Sequence, residues 1–247
     1  PPIKELTIPS RVETLKPGWC RHSTSLKKVF VSPENEHFKN FESNSKLIIG
    51  RSNSSENVFD HLVFACRDIE SVVIPSFIKV IDPFAFESCS LLKKVDFESN
   101  SNLNAIQKYS FSHVNIQSIK IPQNVRVIQE NAFSYCEKLK SVEFDENSLL
   151  ESLDENAFER IQVKCLIFPS KLEKFNENSV QSCKNLKCLE FLSKKIVINL
   201  NANNRNDIIL ISCPNVQDIQ INLESLMMFY QNLIITTGNQ LHIRKDM

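Results

Sequence analysis

Apolar and polar positions recur along this chain with a fixed period. Between Ser71 and Phe191 an apolar triplet returns six times, ending at Ile74, Phe97, Ile121, Phe144, Phe168 and Phe191. The steps between these residues are 23, 24, 23, 24 and 23. Ile74, Ile121 and Phe168 are each followed by proline (Pro75, Pro122, Pro169) and lie 47 apart. Phe97, Phe144 and Phe191 lack the proline and are also 47 apart, so the repeating unit is a pair of laps. Self-similarity at this period marks a solenoid.

Within each lap the alternation predicts a short strand. In Leu92-x-x-Val95-x-Phe97, Val95 and Phe97 fall on one side and Asp96 on the other. Leu139 to Phe144 and Leu186 to Phe191 read the same way. A strand of about three residues must be one rung of a parallel ladder, and a following proline ends it by removing a donor. The second half of each lap carries a five-residue step: Ile81 to Phe86, Ile106 to Phe111, Ile128 to Phe133, Leu153 to Phe158, Phe175 to Val180. A small residue precedes each: Ala85, Ser110, Ala132, Ala157 and Ser179. This predicts a tight turn or a single helical turn that inserts the Phe beneath the neighbouring lap, since one lap alone cannot cover its apolar side.

The Leu-x-x-Val-x-Phe core resembles a leucine-rich repeat. With the added Ile-x-x-x-Ala-Phe-x-x-Cys element and Ile-Pro in alternate laps, it is similar to the BspA-like class found in bacterial and protozoan surface antigens. The resemblance implies a β-rich α/β repeat solenoid. The implied form is a right-handed superhelix with short parallel strands on its concave face and irregular or single helical turns on its convex face. Members of the class are linked to adhesion and to binding host or matrix proteins, and the resemblance implies no catalytic residues. Asn100, Asn124 and Asn147 stand where leucine-rich repeats place an asparagine, but Phe77, Lys171 and Lys194 interrupt that column.

Residues 1–70 read as degraded laps, 71–191 as regular ones and 192–247 as an atypical capping region, all in one domain. Leu6-Thr7-Ile8-Pro9 matches the proline-type strand, and Leu26 to Val31 matches Leu92 to Phe97. Leu47-Ile48-Ile49 reads as the next rung, while the polar stretches Ser32–Ser45 and Gly50–Asn57 read as loops. Beyond Phe191, Ile196–Leu200 and Ile208–Ile211 read as strands around a polar turn, Asn201–Asp207. Cys213-x-x-Val216-x-x-Ile219-x-Ile221 repeats the pattern that ends at Phe191, 30 residues on, and Leu233–Thr236 and Leu241–Ile243 close the stack.

Composition narrows the function. With 29 basic and 29 acidic residues the formal net charge is zero, which argues against nucleic acid or anionic membrane as a partner. Only 3 glycines occur, so phosphate-cradling glycine loops are nearly excluded. No apolar run approaches roughly 18 residues, so no membrane insertion is expected within this chain. The chain opens on Pro1-Pro2, as expected of a fragment or processed form, and Asn53-Ser54-Ser55 is a glycosylation acceptor pattern.

Five of the 8 cysteines, Cys66, Cys89, Cys136, Cys183 and Cys213, recur three residues before the apolar residue leading into the strand, a slot His113 fills in one lap. A recurring slot predicts small buried hydrophobes. No Cys-x-x-Cys pair occurs, so neither metal nor cofactor is expected. Cys165 and Cys188 differ: each opens its strand, one lap from the other. Neighbouring rungs are about 4.8 Å apart, within disulfide range, so the two either bond or stay reduced neighbours. The five histidines are scattered and no nucleophile–base pair emerges, so no enzyme is expected. The outward strand column is Val73, Asp96, Lys120, Glu143, Ile167 and Glu190, a candidate protein-binding face. One reading makes it a solvated face whose charges are mutual ion partners. The other makes it a docking face, because Val73 and Ile167 are apolar where water should be. The expected function is therefore non-catalytic protein binding, at the cell surface or secreted. The alternative is a structural subunit of a larger intracellular, cytoplasmic assembly.

Overall fold

The computed structural model describes residues 2–52, 57–201, 210–215, 218–224, 234–237 and 240–242. Asn53 lies outside them, as do Val216 and most of the Asn201–Asp207 turn.

The apolar triplets form the concave wall. Ser71–Ile74 pairs parallel with Lys94–Phe97, Ser118–Ile121 with Ser141–Phe144, and Cys165–Phe168 with Cys188–Phe191. Every one of these pairings spans a 23-residue step. The 24-residue steps, Phe97 to Ile121 and Phe144 to Phe168, fall between separate sheets. Between Ser71 and Phe191 the ladder is thus interrupted once per pair of laps. Val95 and Val142 are buried and Phe191 fully so, but Phe97 and Phe144, which lie at the interrupted steps, pack on the core only half-buried.

A second wall follows each triplet. Val80–Ile81, Ala105–Ile106, Val127–Ile128 and Ser152–Leu153 pair in one unbroken parallel series. After a proline, a turn closed by Ile78 N–H to Pro75 O, 3.1 Å, brings the chain across. The same turn recurs at Val125 and Leu172, both 3.2 Å.

Of the tight turn or single helical turn expected in the second half of each lap, the third wall takes the turn in all described laps but one. Among the described residues one short 3-10 helix occurs, Glu177–Val180. The other laps alternate left-handed residues: Phe84 and Ser88 (φ 64° and 59°), Tyr109 and His113 (57° and 60°), Asn131 and Tyr135 (58° and 59°), Asn156 and Arg160 (56° and 59°). The N–H groups of Phe84, Phe86 and Ser88 donate to the carbonyls of Lys108, Ser110 and Ser112 at 3.1, 2.7 and 2.9 Å. Tyr109, Phe111 and His113 donate in the same way to Glu130, Ala132 and Ser134. Three peptide units per lap therefore point one way, N–H towards the C-terminal end and carbonyl towards the N-terminal end, and their dipoles add.

Between the walls lies the core. Phe86, Phe111, Phe133 and Phe158 are fully buried and stacked, with centroids 4.8, 5.1 and 5.4 Å apart and planes within 14°. Burying each such ring contributes about 1.5–3 kcal/mol. The 3-10 helix puts Val180 in the next place and ends the stack.

The N-terminal reading needs correction. Glu5–Ile8 does pair parallel with Lys28–Val31. The next segments, Phe38–Phe41, Asn44–Arg51 and Phe59–Ala65, pair antiparallel and extend the second wall, so Leu47-Ile48-Ile49 is no rung of the triplet ladder. The reason is burial on both faces, which leaves continuous apolar runs without alternation. Leu47, Ile49 and Leu62 face the main core, and Ile48, Val63 and Phe64 face a smaller one with Ile8, Cys20, Leu26 and Val29. The Asn40 amide closes the remaining edge of Lys28–Val31. It donates to Val29 O at 2.7 Å and accepts from Val31 N–H at 2.9 Å, as a neighbouring peptide would.

At the other end Leu210–Cys213, not Ile219–Ile221, continues the triplet wall beside Cys188–Phe191. Asp218–Glu224 pairs instead with Lys195–Asn201 in the line of the second wall, beside Lys174–Asn176. Gln240–His242 turns back antiparallel on Ile234–Thr237.

Candidate functional site

The ladder sets the candidate column on the concave face in pairs. Val73 stands opposite Asp96, Lys120 opposite Glu143, and Ile167 opposite Glu190. Val73 is 53% exposed and Ile167 49%, both on strands whose alternate side chains are buried. Lys120 and Glu143 are exposed, and Asp96 and Glu190 half-buried. The charges do not form the mutual pairs the sequence suggested. Lys94 of the same strand holds Asp96 at 2.7 Å, Lys120 sits 3.7 Å from Asp145, and Glu143 accepts from the Ser141 hydroxyl at 3.3 Å. The reason is geometric: side chains two apart on one strand share its face, while the interrupted step separates Asp96 from Lys120. Exposed pairs of this kind contribute about 0–1 kcal/mol each, so a partner can replace them at little cost. Where the ladder is interrupted between Lys94–Phe97 and Ser118–Ile121, a groove of about 830 Å³ opens, lined among others by Asp96, Lys120, Asn124 and Asp145.

Cys165 and Cys188 are in register on this face, with Cα atoms 4.6 Å apart, and their sulfurs form a disulfide. The other six cysteines are free and buried. Cys136 and Cys183 donate to the carbonyls of Phe111 and Phe158 at 3.1 and 3.0 Å. Burial pushes both thiols up to about 12, and that of Cys213 to about 11. Cys20 and Cys89 touch the Arg67 guanidinium at 3.4 and 3.5 Å. Burial outweighs the cation, and both stay above the ordinary thiol range. A nucleophilic cysteine needs the opposite shift.

Two features left no legible mark in the sequence. Arg67 is buried, with its guanidinium on the carbonyls of Ala65, Ala85 and Phe84 at 3.3, 3.0 and 3.4 Å and over the Phe64 ring at 4.5 Å. Ala85 O belongs to the carbonyl end of the third wall, so the cation caps the negative end of the aligned peptides. The second feature is a hollow of about 420 Å³ on the third wall, lined by Arg21, Glu87, Tyr109, His113 and Tyr135 among others. Tyr109 stacks on Phe84 at 5.1 Å and His113 on Tyr135 at 4.7 Å, so these rings already have partners. The signal for both stacks is the 25- and 22-residue spacing of the left-handed positions, which only becomes visible with the φ angles.

His61 meets Asp82 at 2.8 Å beside the first rung of the second wall. Among the described residues no cluster of three His, Cys, Asp or Glu could hold a metal ion, and no helix is long and apolar enough to cross a membrane.

The profile of the BspA type leucine-rich repeat region matches this chain in 6 copies, over residues 55–187 and 104–233. No curated protein matches it. Among solved structures the chain is similar to the pneumococcal vaccine antigen PcpA, with a TM-score of 0.57 and 18% identity, over 91% of this chain and 56% of that one. It is also similar to a leucine-rich repeat protein from Eubacterium ventriosum, with a TM-score of 0.52 and 17% identity, over 99% of this chain and 61% of that one. The chain thus spans less than two thirds of either relative. At these identities the likeness establishes the fold.

Proposed function

Because the chain belongs to the BspA-type leucine-rich repeat family, we propose that it is a non-catalytic protein-binding module, one domain over residues 1–247, whose concave face docks a protein at a cell surface. The observation that carries the reading is the pair of apolar side chains, Val73 and Ile167, left in water in a column whose other members, Asp96, Lys120, Glu143 and Glu190, are charged. They are four laps apart, two ladder steps of about 4.8 Å and two wider interrupted ones, a span an extended segment of a partner can bridge. The weak ion pairs between them rearrange on contact. Extracellular placement agrees with the Cys165–Cys188 disulfide, a bond that persists in oxidising compartments, and with the description of PcpA as a vaccine antigen. A structural subunit of an intracellular assembly is the second reading, favoured by the six free cysteines.

Surface plasmon resonance against a panel of matrix and host-surface proteins tests the proposal. The comparison is the native chain with Val73→Asp/Ile167→Asp and Asp96→Lys/Glu143→Lys chains of unchanged melting temperature. A bound protein whose Kd rises at least tenfold in both variants supports docking on the concave face. A protein held equally well by all three chains removes that face from the account.

A further inference from the structure

The disulfide on the concave face differs from a structural staple in two ways. The ladder already holds its two cysteines in register: Lys187 N–H and Cys188 N–H both donate to Lys164 O, at 2.8 and 3.2 Å. The lap between them is closed without the bond, so its loss leaves the two sulfurs facing each other. Next, its two sulfurs are unequal. Cys165 is exposed and lies on the edge strand of its sheet, beside the interrupted step from Phe144 to Phe168, so no ladder pairing covers it on that side. Cys188 is half-buried between two rungs, Cys165–Phe168 and Leu210–Cys213. The six remaining cysteines have none of this accessibility.

We propose that Cys165–Cys188 is a thiol–disulfide exchange site, at which the concave face captures a cysteine of a protein partner as a mixed disulfide. The partner's thiolate attacks Cys165 Sγ in line with the existing bond. A new S–S bond forms between the partner and Cys165, the Cys165–Cys188 bond breaks, and its electron pair leaves on Cys188 Sγ as a thiolate. The partner's thiol is oxidised as this disulfide is reduced, so no other oxidant enters. In the reverse step the Cys188 thiolate attacks Cys165 Sγ and expels the partner. The ladder keeps Cys188 within reach, which makes release fast and the capture reversible. This site is independent of the non-covalent docking proposed above: it fails or holds on sulfur chemistry alone.

The test uses the native chain and reduced glutathione as the thiol probe, followed by an acid quench, alkylation and peptide mass spectrometry. The expected result is a glutathione adduct on Cys165 in those chains whose freed Cys188 is alkylated before it recloses, with six unmodified buried cysteines and the melting temperature of the untreated chain retained before quenching. In a Cys188→Ser chain, the Cys165 thiol reacts with 5,5′-dithiobis(2-nitrobenzoate) at least tenfold faster than any of the six. An adduct settling on Cys188 overturns the proposal, as does one that forms only after unfolding, or a Cys165 thiol no faster than the buried six. Should Cys188→Ser fail to fold, the glutathione arm on the native chain still decides.

Discussion

The Arg67 guanidinium is buried, and among the described residues its partners are carbonyl oxygens, two sulfurs and an aromatic ring rather than a carboxylate. A buried cation without a counter-ion is costly unless something supplies negative potential. The carbonyl end of the third wall supplies it. Arg67→Ala should therefore destabilise by about 2–4 kcal/mol, from lost charge-assisted hydrogen bonds and a cavity. Urea denaturation reads this, and Arg67→Lys should not restore it, because an ammonium lacks the planar fork that reaches both Ala85 O and Cys20. His61 makes a second residue-level case. Burial pulls its pKa down, but the hydrogen bond and charge of Asp82 outweigh burial and leave it above the ordinary 6.5. A raised folded value means the contact stabilises fully below the unfolded pKa and fades as pH rises through the folded one. Melting temperature should thus fall between about pH 6.5 and the alkaline side of it, and Asp82→Asn should flatten that slope. An unchanged slope in Asp82→Asn assigns the dependence elsewhere.

Among the elements, the phenylalanine stack shows what a sequence can and cannot disclose. Phe86, Phe111, Phe133 and Phe158 were legible because one lap repeats the same apolar demand on the next, and period survives translation into sequence. Phe133 has a ring on each side, so Phe133→Ala should cost about 3–5 kcal/mol, while Phe133→Leu should cost clearly less, by the same urea measurement. Equal losses would mean that the stack relaxes around any substitution. The second wall was not legible. A two-residue rung such as Val127–Ile128 is too short to show alternation, and it reads only as the start of a turn. The antiparallel strands hid for the opposite reason: Leu62-Val63-Phe64 is buried on both faces and alternates nowhere. The left-handed positions of the third wall fall on Phe84, Tyr109 and Tyr135 as well as on Asn131 and Asn156, so residue type gives no warning of them. On the concave face the column itself could be read from period two, and so could the facing of Cys165 and Cys188. The ion partners could not, since Lys94 and Asp145 lie off the column.

At the scale of the whole molecule, interrupted and continuous walls oppose each other. The concave ladder breaks at the steps from Phe97 to Ile121 and from Phe144 to Phe168, which alone would let the solenoid hinge there. The second wall runs unbroken from Phe59–Ala65 to Ser152–Leu153, and the third adds three hydrogen bonds per lap across the same steps. These two walls, with the stacked rings between them, should hold Ser71–Phe191 together as one cooperative unit. The N-terminal laps are different. Glu5–Ile8 and Lys28–Val31 pair only with each other, over the smaller core on the far side of Asn44–Arg51 and Phe59–Ala65. Segments with few buried contacts open below the global free energy. Native-state hydrogen exchange should show the ladder amides of Lys28–Val31 exchanging at least tenfold faster than those of Ser141–Phe144, with protection even across laps from Val72 to Phe191. A drop in protection at Phe97 or Phe144 instead would make the interrupted steps true hinges and the continuous walls too weak to bridge them.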